Sequence, residues 1–149
     1  MNAVQTAATP ITTLTAAPRV PMVGVLRALL LSEAVAGLGL AIVLSLLAAA
    51  ERDFLGGGAG RAAEQTLRFA AGGAFLFAIF AASASRGARR RRAWAWTLAA
   101  ILQVVLAIGT GIAIMAVVWQ PLCLIGFGGG ALVMLVLSTT SVRRALGQE

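Results

Sequence analysis

The stretch Leu26–Leu47, LRALLLSEAVAGLGLAIVLSLL, decides the fold. From Ala28 to Leu47 it offers 20 residues interrupted by one ionisable side chain, Glu33. About 20 predominantly apolar residues in a helix cross the ~30 Å of hydrocarbon in a bilayer. Lipid supplies no hydrogen-bond partners, so a spanning segment must close its backbone bonds internally, as a helix does. Three more apolar stretches follow, and the four run Val23–Ala50, Phe69–Ser85, Ala93–Trp119 and Pro121–Val142. They predict an all-α membrane protein, a bundle of four transmembrane helices filling residues 22–143 of a 149-residue chain.

Composition agrees. Hydrophobic residues make up 60% and charged residues 11%, with a mean hydropathy of +0.93, outside the range of soluble globular chains. The net charge is +7, and all 12 basic residues are Arg. In a soluble protein that balance would suggest nucleic acid. Here the arginines flank apolar spans, so the bilayer is the expected partner and nucleic acid is not. With no His and a single Cys, Cys123, the chain lacks the usual ligands of a transition-metal site. No metal or cofactor is expected. Cys123 reads as a small apolar filler.

Arginine placement predicts the threading. Arg19, Arg27, Arg86, Arg89, Arg90, Arg91, Arg92, Arg143 and Arg144 fall on one side, nine in all, against three on the other, Arg52, Arg61 and Arg68. Short Arg-rich segments stay cytoplasmic, which puts both termini and the second connection inside, in a multi-pass protein of the cell membrane. Trp94, Trp96 and Trp119 sit at the two ends of the third span, where amphipathic rings favour the headgroup zone. Trp119–Pro121 is expected to form a tight turn between spans three and four. The second span is the weakest, with 17 uncharged residues after Arg68, and Glu64 is placed at i−4 to pair with that arginine.

Residues 1–21, rich in Ala, Thr and Pro, read as a disordered cytoplasmic tail, and 144–149 as a short cytoplasmic one. Residues 51–66 read as an outer loop, flexible through Gly56, Gly57, Gly58 and Gly60, with the second helix beginning near Arg61–Leu67. A cleavable signal competes for the first span, since Ala48-Ala49-Ala50 precedes Glu51. Its 20-residue apolar stretch exceeds the ~7–15 of signal cores, so the span is expected to be retained.

Glu33 lies about 8 Å inside the first span at 1.5 Å per residue. A carboxylate there is costly unless it is protonated, paired or beside water. Its i+4 ridge, Glu33, Gly37, Ala41 and Ser45, is small and suits a helix contact. In the third span the ridge Ala99, Gln103, Ala107 and Gly111 has the same character, and Gln103 lies at similar depth. A protonated Glu33 donating to the Gln103 carbonyl would satisfy both. Two readings stand: interhelical glue worth about 0.6–2 kcal/mol, or a proton or cation site.

Two further small-residue rows are Ala70, Ala74, Ala78, Ala82 and the GxxxG pair Gly126/Gly130. They serve packing within the chain or, through the glycine pair, a homo-oligomer. Gly126, Gly128 and Ala131 spell a dinucleotide fingerprint by accident, since no strand precedes them. Arg86 and the run Arg89–Arg92 anchor topology and are candidates for holding anionic lipid headgroups, at about 1 kcal/mol each.

The pieces Leu26–Leu47 and Arg91–Ile112 (RRAWAWTLAAILQVVLAIGTGI), with the terminal Ser141-Val142-Arg143-Arg144, resemble small actinobacterial four-helix integral membrane proteins. An acid in the first span and Gln in the third are common there. That resemblance implies the fold and no activity. The context Leu31-Ser32-Glu33-Ala34 is similar to the small multidrug resistance transporters, which implies that Glu33 exchanges protons for a cationic drug across a dimer. The chain departs from that family in having no Tyr, a longer outer loop and a strong charge bias.

An enzyme would need a polar cluster at one interface. Thr97, Ser83 and Ser138 bring no acid–base partner beyond Glu33, so no catalytic residue is expected. The leading expectation is a non-enzymatic accessory or scaffold subunit working with other membrane proteins. The alternative is a small proton-coupled transporter using Glu33.

Overall fold

Helix α1 (Pro21–Leu55) begins on a proline, whose fixed φ suits a first helical residue and whose missing N–H is not needed there. It is followed by α2 (Gly57–Arg89), α3 (Ala93–Met115), α4 (Gln120–Ser138) and a short α5 (Thr140–Ala145). These elements come from a computed structural model describing residues 21–55, 57–115 and 120–148. Residues 1–20 of the expected N-terminal tail, Arg19 among them, and Trp119 of the expected turn lie outside the described residues, as does the side chain of Cys123. Pro21 opens α1, and the other two turn residues, Gln120 and Pro121, open α4 as helix. Among the described residues every element is helical. Pro21–Phe54, Gly57–Arg89 and Ala93–Ile112 are each long and apolar enough to cross a membrane, which marks a multi-pass membrane protein.

The expected outer loop over 51–66 is helix instead. Ala48–Ala50 and Ala59–Glu64 are rich in strong helix formers, and the reversal needs little more than Gly57 at φ +54, a left-handed conformation that glycine tolerates. At 35 and 33 residues, α1 and α2 extend about 50 Å, some 20 Å more than the hydrocarbon requires. The excess forms a helical hairpin tip. Across it, Glu64 Oε1 meets Arg68 Nη2 at 2.7 Å, as the i−4 spacing predicts, and Arg52 Nη1 of α1 at 3.7 Å. The Ala48-Ala49-Ala50 motif lies inside α1, with Ala48 fully buried.

One row of buried and half-buried positions on α2 steps through Gly60, Glu64, Leu67, Ala71, Ala74, Ala78, Ala81, Ser85 and Ala88. Alternating steps of three and four are the 3.5-residue period of supercoiled helices, here with alanine at most seam positions so that the backbones approach closely. This trims the expected row: Ala74 and Ala78 lie on the seam, Ala82 is half-buried beside it and packs against the core, and Ala70 is exposed. A strict four-residue row drifts away from its partner because a helix turns every 3.6 residues. On α1, Gly37 takes the closest contact. A Cβ there would stand 3.3 Å from the Ala74 carbonyl oxygen and from Phe77 Cδ1.

The hydrophobic core sits where α1 begins, α2 ends, α3 begins and α4 ends. Leu26, Leu30, Ala84, Ala88, Ala95, Ala99, Val133 and Leu137 build it. The fourth apolar helix stops at Ser138 rather than continuing to Val142. Ser138 Oγ donates to the Leu135 carbonyl and Thr139 Oγ1 to that of Val136, at 2.8 and 2.7 Å, and Thr139 turns extended (φ −67, ψ 135). Residues 140–148 then fold back instead of trailing. Val142 and Leu146 are buried in the core, Gly147 at φ +70 closes α5, and Gln148 Nε2 donates to the Ala93 carbonyl at 3.4 Å.

Candidate functional site

Glu33 and Gln103 meet. Gln103 Nε2 donates to both carboxyl oxygens of Glu33, at 3.1 and 2.9 Å, with Gln103 almost fully buried at 2% exposure and Glu33 half-buried. Equal depth on α1 and α3 brings them together as expected, but with the amide reversed. The nitrogen faces the carboxyl group, and Gln103 Oε1 is left without a hydrogen-bond partner. That oxygen points at α4, where a Cβ on Gly130 would lie 2.9 Å from it. A half-turn of the amide would suit a protonated Glu33 and swing Nε2 toward Gly130 instead. Either way one polar atom of Gln103 abuts the α4 backbone.

The packing glycines divide accordingly. Gly126 and Gly130 face α3 of their own chain, where Cβ atoms would meet Thr110 Cγ2 at 3.3 Å and Leu106 Cδ2 at 3.3 Å. A small groove of about 170 Å³ runs beside them, lined by Gln103, Leu106, Phe127 and Met134 among others. Gly111 is not a packing residue among the described residues, since a Cβ there would meet nothing within 4 Å. The α3 seam instead passes through Ala95, Ala99, Gln103, Leu106 and Thr110, leaving Ala107 exposed. This is the same drift of a four-residue row that displaces Ala70.

The second polar feature is an open cavity of about 650 Å³ at the end where the core lies. Arg86, Arg89, Arg90 and Arg92 line it together with Arg27 from α1, and Leu31, Ser83 and Trp94 form part of its wall. Arg91 stays off this wall because the chain reverses through it. Its φ is +51, and the Arg91 and Arg92 N–H groups bond the carbonyls of Ala88 and Gly87 at 3.1 Å each. Those two bonds make the paired C-terminal cap in which residue C′ is left-handed, with arginine where glycine is usual. Of the acids among the described residues, Glu33 is engaged by Gln103, and Glu51, Asp53 and Glu64 belong to the opposite end of the α1–α2 hairpin. No ion pair among the described residues neutralises Arg27, Arg86, Arg89, Arg90 or Arg92.

Two residues essential to this end escape the sequence reading. Gly87 is buried against α3. A Cβ there would come within 2.8 Å of Ala95 Cβ and of Trp94 Cη2, so glycine is what lets the helices close at the turn. Trp96, expected at the headgroups, donates its Nε1–H to the Leu137 carbonyl at 3.1 Å and ties α3 to the end of α4. Neither is visible until the α2–α3 and α3–α4 registers are known. Compared with known proteins, the chain matches no family model, no curated protein and no solved structure.

Proposed function

We propose that the chain is a four-span protein of the cell membrane with both termini cytoplasmic, acting as a non-enzymatic accessory or scaffold subunit of a membrane assembly. The fourth span in this reading is α4, whose 19 residues reach about 28 Å, close to the hydrocarbon thickness. Support for the orientation comes from the gathering of Arg27, Arg86, Arg89, Arg90 and Arg92 around one cavity, with Arg143 and Arg144 on α5 beside the start of α1. The observation that carries the role is the closed Glu33–Gln103 pair. The one acid within a span is engaged by a neighbouring helix, and neither cavity described above is lined by Glu33.

Cysteine labelling from outside tests the threading. Of Arg90→Cys, Gly58→Cys and Gln148→Cys, only Gly58→Cys should react in intact cells. Reaction at Gln148→Cys would mean that α2 or α4 fails to span. Purification in mild detergent with mass spectrometry tests the role, and a stoichiometric membrane partner is the expected result. The alternative, a small proton-coupled transporter using Glu33, draws on the acid's position within a span and on its similarity in context to the small multidrug resistance family. A lone homodimer that acidifies proteoliposomes in exchange for a cationic drug, and loses this with Glu33→Gln, would replace the scaffold reading.

A further inference from the structure

The arginine-lined cavity holds charge that nothing in the described chain offsets. Five guanidinium groups from α1, from the end of α2 and from the turn into α3 share its wall. Like charges this close repel one another, and the low-dielectric helices behind them strengthen the field toward an incoming anion. Guanidinium groups also match phosphate oxygens two bonds at a time, which ammonium groups do not.

The wall itself describes the ligand. Beside the arginines it carries Leu31, Ala82 and the exposed ring of Trp94, so it passes from charge to apolar surface within one cavity. Further along the same two helices, away from the arginine end, Val35, Leu38, Ile79, Leu76 and Phe75 are exposed large hydrophobics. A molecule that set phosphate among the arginines would have apolar helix faces ahead of it for hydrocarbon chains. A single phosphodiester, with one negative charge, would match one of the five cations. A headgroup carrying two phosphates doubles the charge matched and can engage arginines from α1 and from α2 at once, and about 650 Å³ leaves it room.

We infer that this cavity is a binding site for a membrane lipid with a paired-phosphate headgroup, held by Arg27, Arg86, Arg89, Arg90 and Arg92. The site is independent of the scaffold role proposed above. It requires only that the helices lie in a bilayer.

The test uses the full chain, delipidated in mild detergent, with lipid binding followed by native mass spectrometry and by the shift in melting temperature. Cardiolipin is the two-phosphate probe, phosphatidylglycerol at equal total charge the single-phosphate probe, and inorganic pyrophosphate the soluble one. Cardiolipin should bind at least tenfold more tightly than phosphatidylglycerol. Arg27→Gln and Arg86→Gln, on different helices and both exposed, should each weaken cardiolipin binding about fivefold, since an interfacial arginine is worth about 1 kcal/mol. Arg143→Gln removes an interfacial charge outside the cavity and should change affinity less than twofold. Equal losses in all three variants would reduce the site to diffuse surface charge and overturn the inference. So would equal affinity for the two lipids. Tight pyrophosphate binding without cardiolipin binding would reassign the cavity to a soluble polyanion.

Discussion

Replacing Glu33 by leucine should destabilise the bundle by about 2 kcal/mol, and the structure says where that figure comes from. The substitution removes an interhelical contact in which one amide nitrogen serves two carboxyl oxygens at 3.1 and 2.9 Å. Such contacts in membranes average about 0.6 kcal/mol and reach about 1.7. It also strands Gln103 Nε2, on a side chain 2% exposed whose oxygen already lacks a partner. A buried donor left without an acceptor costs about 1–3 kcal/mol, and because that cost already contains most of the lost contact, the total is about 2 kcal/mol, roughly a thirtyfold change in the unfolding equilibrium. Glu33→Gln keeps an acceptor facing Nε2 and should cost less than about 0.5 kcal/mol.

The reasoning turns on the pair, so the double variant is the sharper measurement. Replacing both partners with apolar groups of similar size is close to neutral, because nothing polar is left unpaired. Glu33→Leu combined with Gln103→Leu should therefore recover most of the loss, giving a coupling of at least about 1.5 kcal/mol, larger by whatever Gln103→Leu costs alone. Equilibrium unfolding in mixed micelles, titrated with sodium dodecyl sulfate and followed by tryptophan fluorescence, reads all four states of the cycle. Distant sites add to within about 0.5 kcal/mol. A double variant within that margin of the two single losses combined would show that Glu33 and Gln103 do not touch, and would remove the ground for calling the pair structural.

The other expectations concern packing and the tip. Gly87→Ala should cost about 1–3 kcal/mol through overpacking, because its Cβ would stand 2.8 Å from Ala95 Cβ, whereas Gly111→Ala should be neutral or stabilise by up to about 1 kcal/mol; the same unfolding titration compares them. Trp96→Phe keeps the ring but deletes the Nε1 donor to Leu137, and should lower stability by about 1 kcal/mol in that assay. Glu64→Gln should cost less than about 1 kcal/mol, since the side chains of both its arginine partners are largely exposed, and the loss should shrink in 1 M salt.

What the sequence makes legible follows from which physical rule each feature obeys. Apolar runs of membrane length are read by composition alone, so α1, α2 and α3 are where hydropathy puts them. The Glu33–Gln103 contact is legible because two polar groups at equal depth have few other partners in a bilayer. Loop and helix end are harder. Four glycines near 56–60 suggest a flexible connection, yet the alanines on both sides carry the helices through, and Gly57 is the left-handed residue among those described there. Ridges drawn at i+4 fail beyond two turns, which is why Gly111, Ala107 and Ala70 fall off seams that Thr110, Leu106 and Ala71 occupy. The arginine cavity needs the register of α1 against α2. Arg27 and Arg86 lie 59 positions apart in sequence and become neighbours only when the hairpin folds.

That register also explains why one end of the molecule is built so differently from the other. At the tip, α1 and α2 hold each other through small residues and a carboxylate shared by two arginines, contacts that are individually weak. At the arginine end every described helix converges. The core lies there, Gly87 draws α2 onto α3, Trp96 pins α3 to α4, and α5 seals the base with Val142 and Leu146. Among the described residues five guanidinium groups without an ion pair stand on this base, and the core packed behind them offsets their mutual repulsion. The cationic cavity and the core therefore belong to one arrangement. The packing fixes the backbone positions from which the arginines project, and the inferred preference for two phosphates over one depends on that placement.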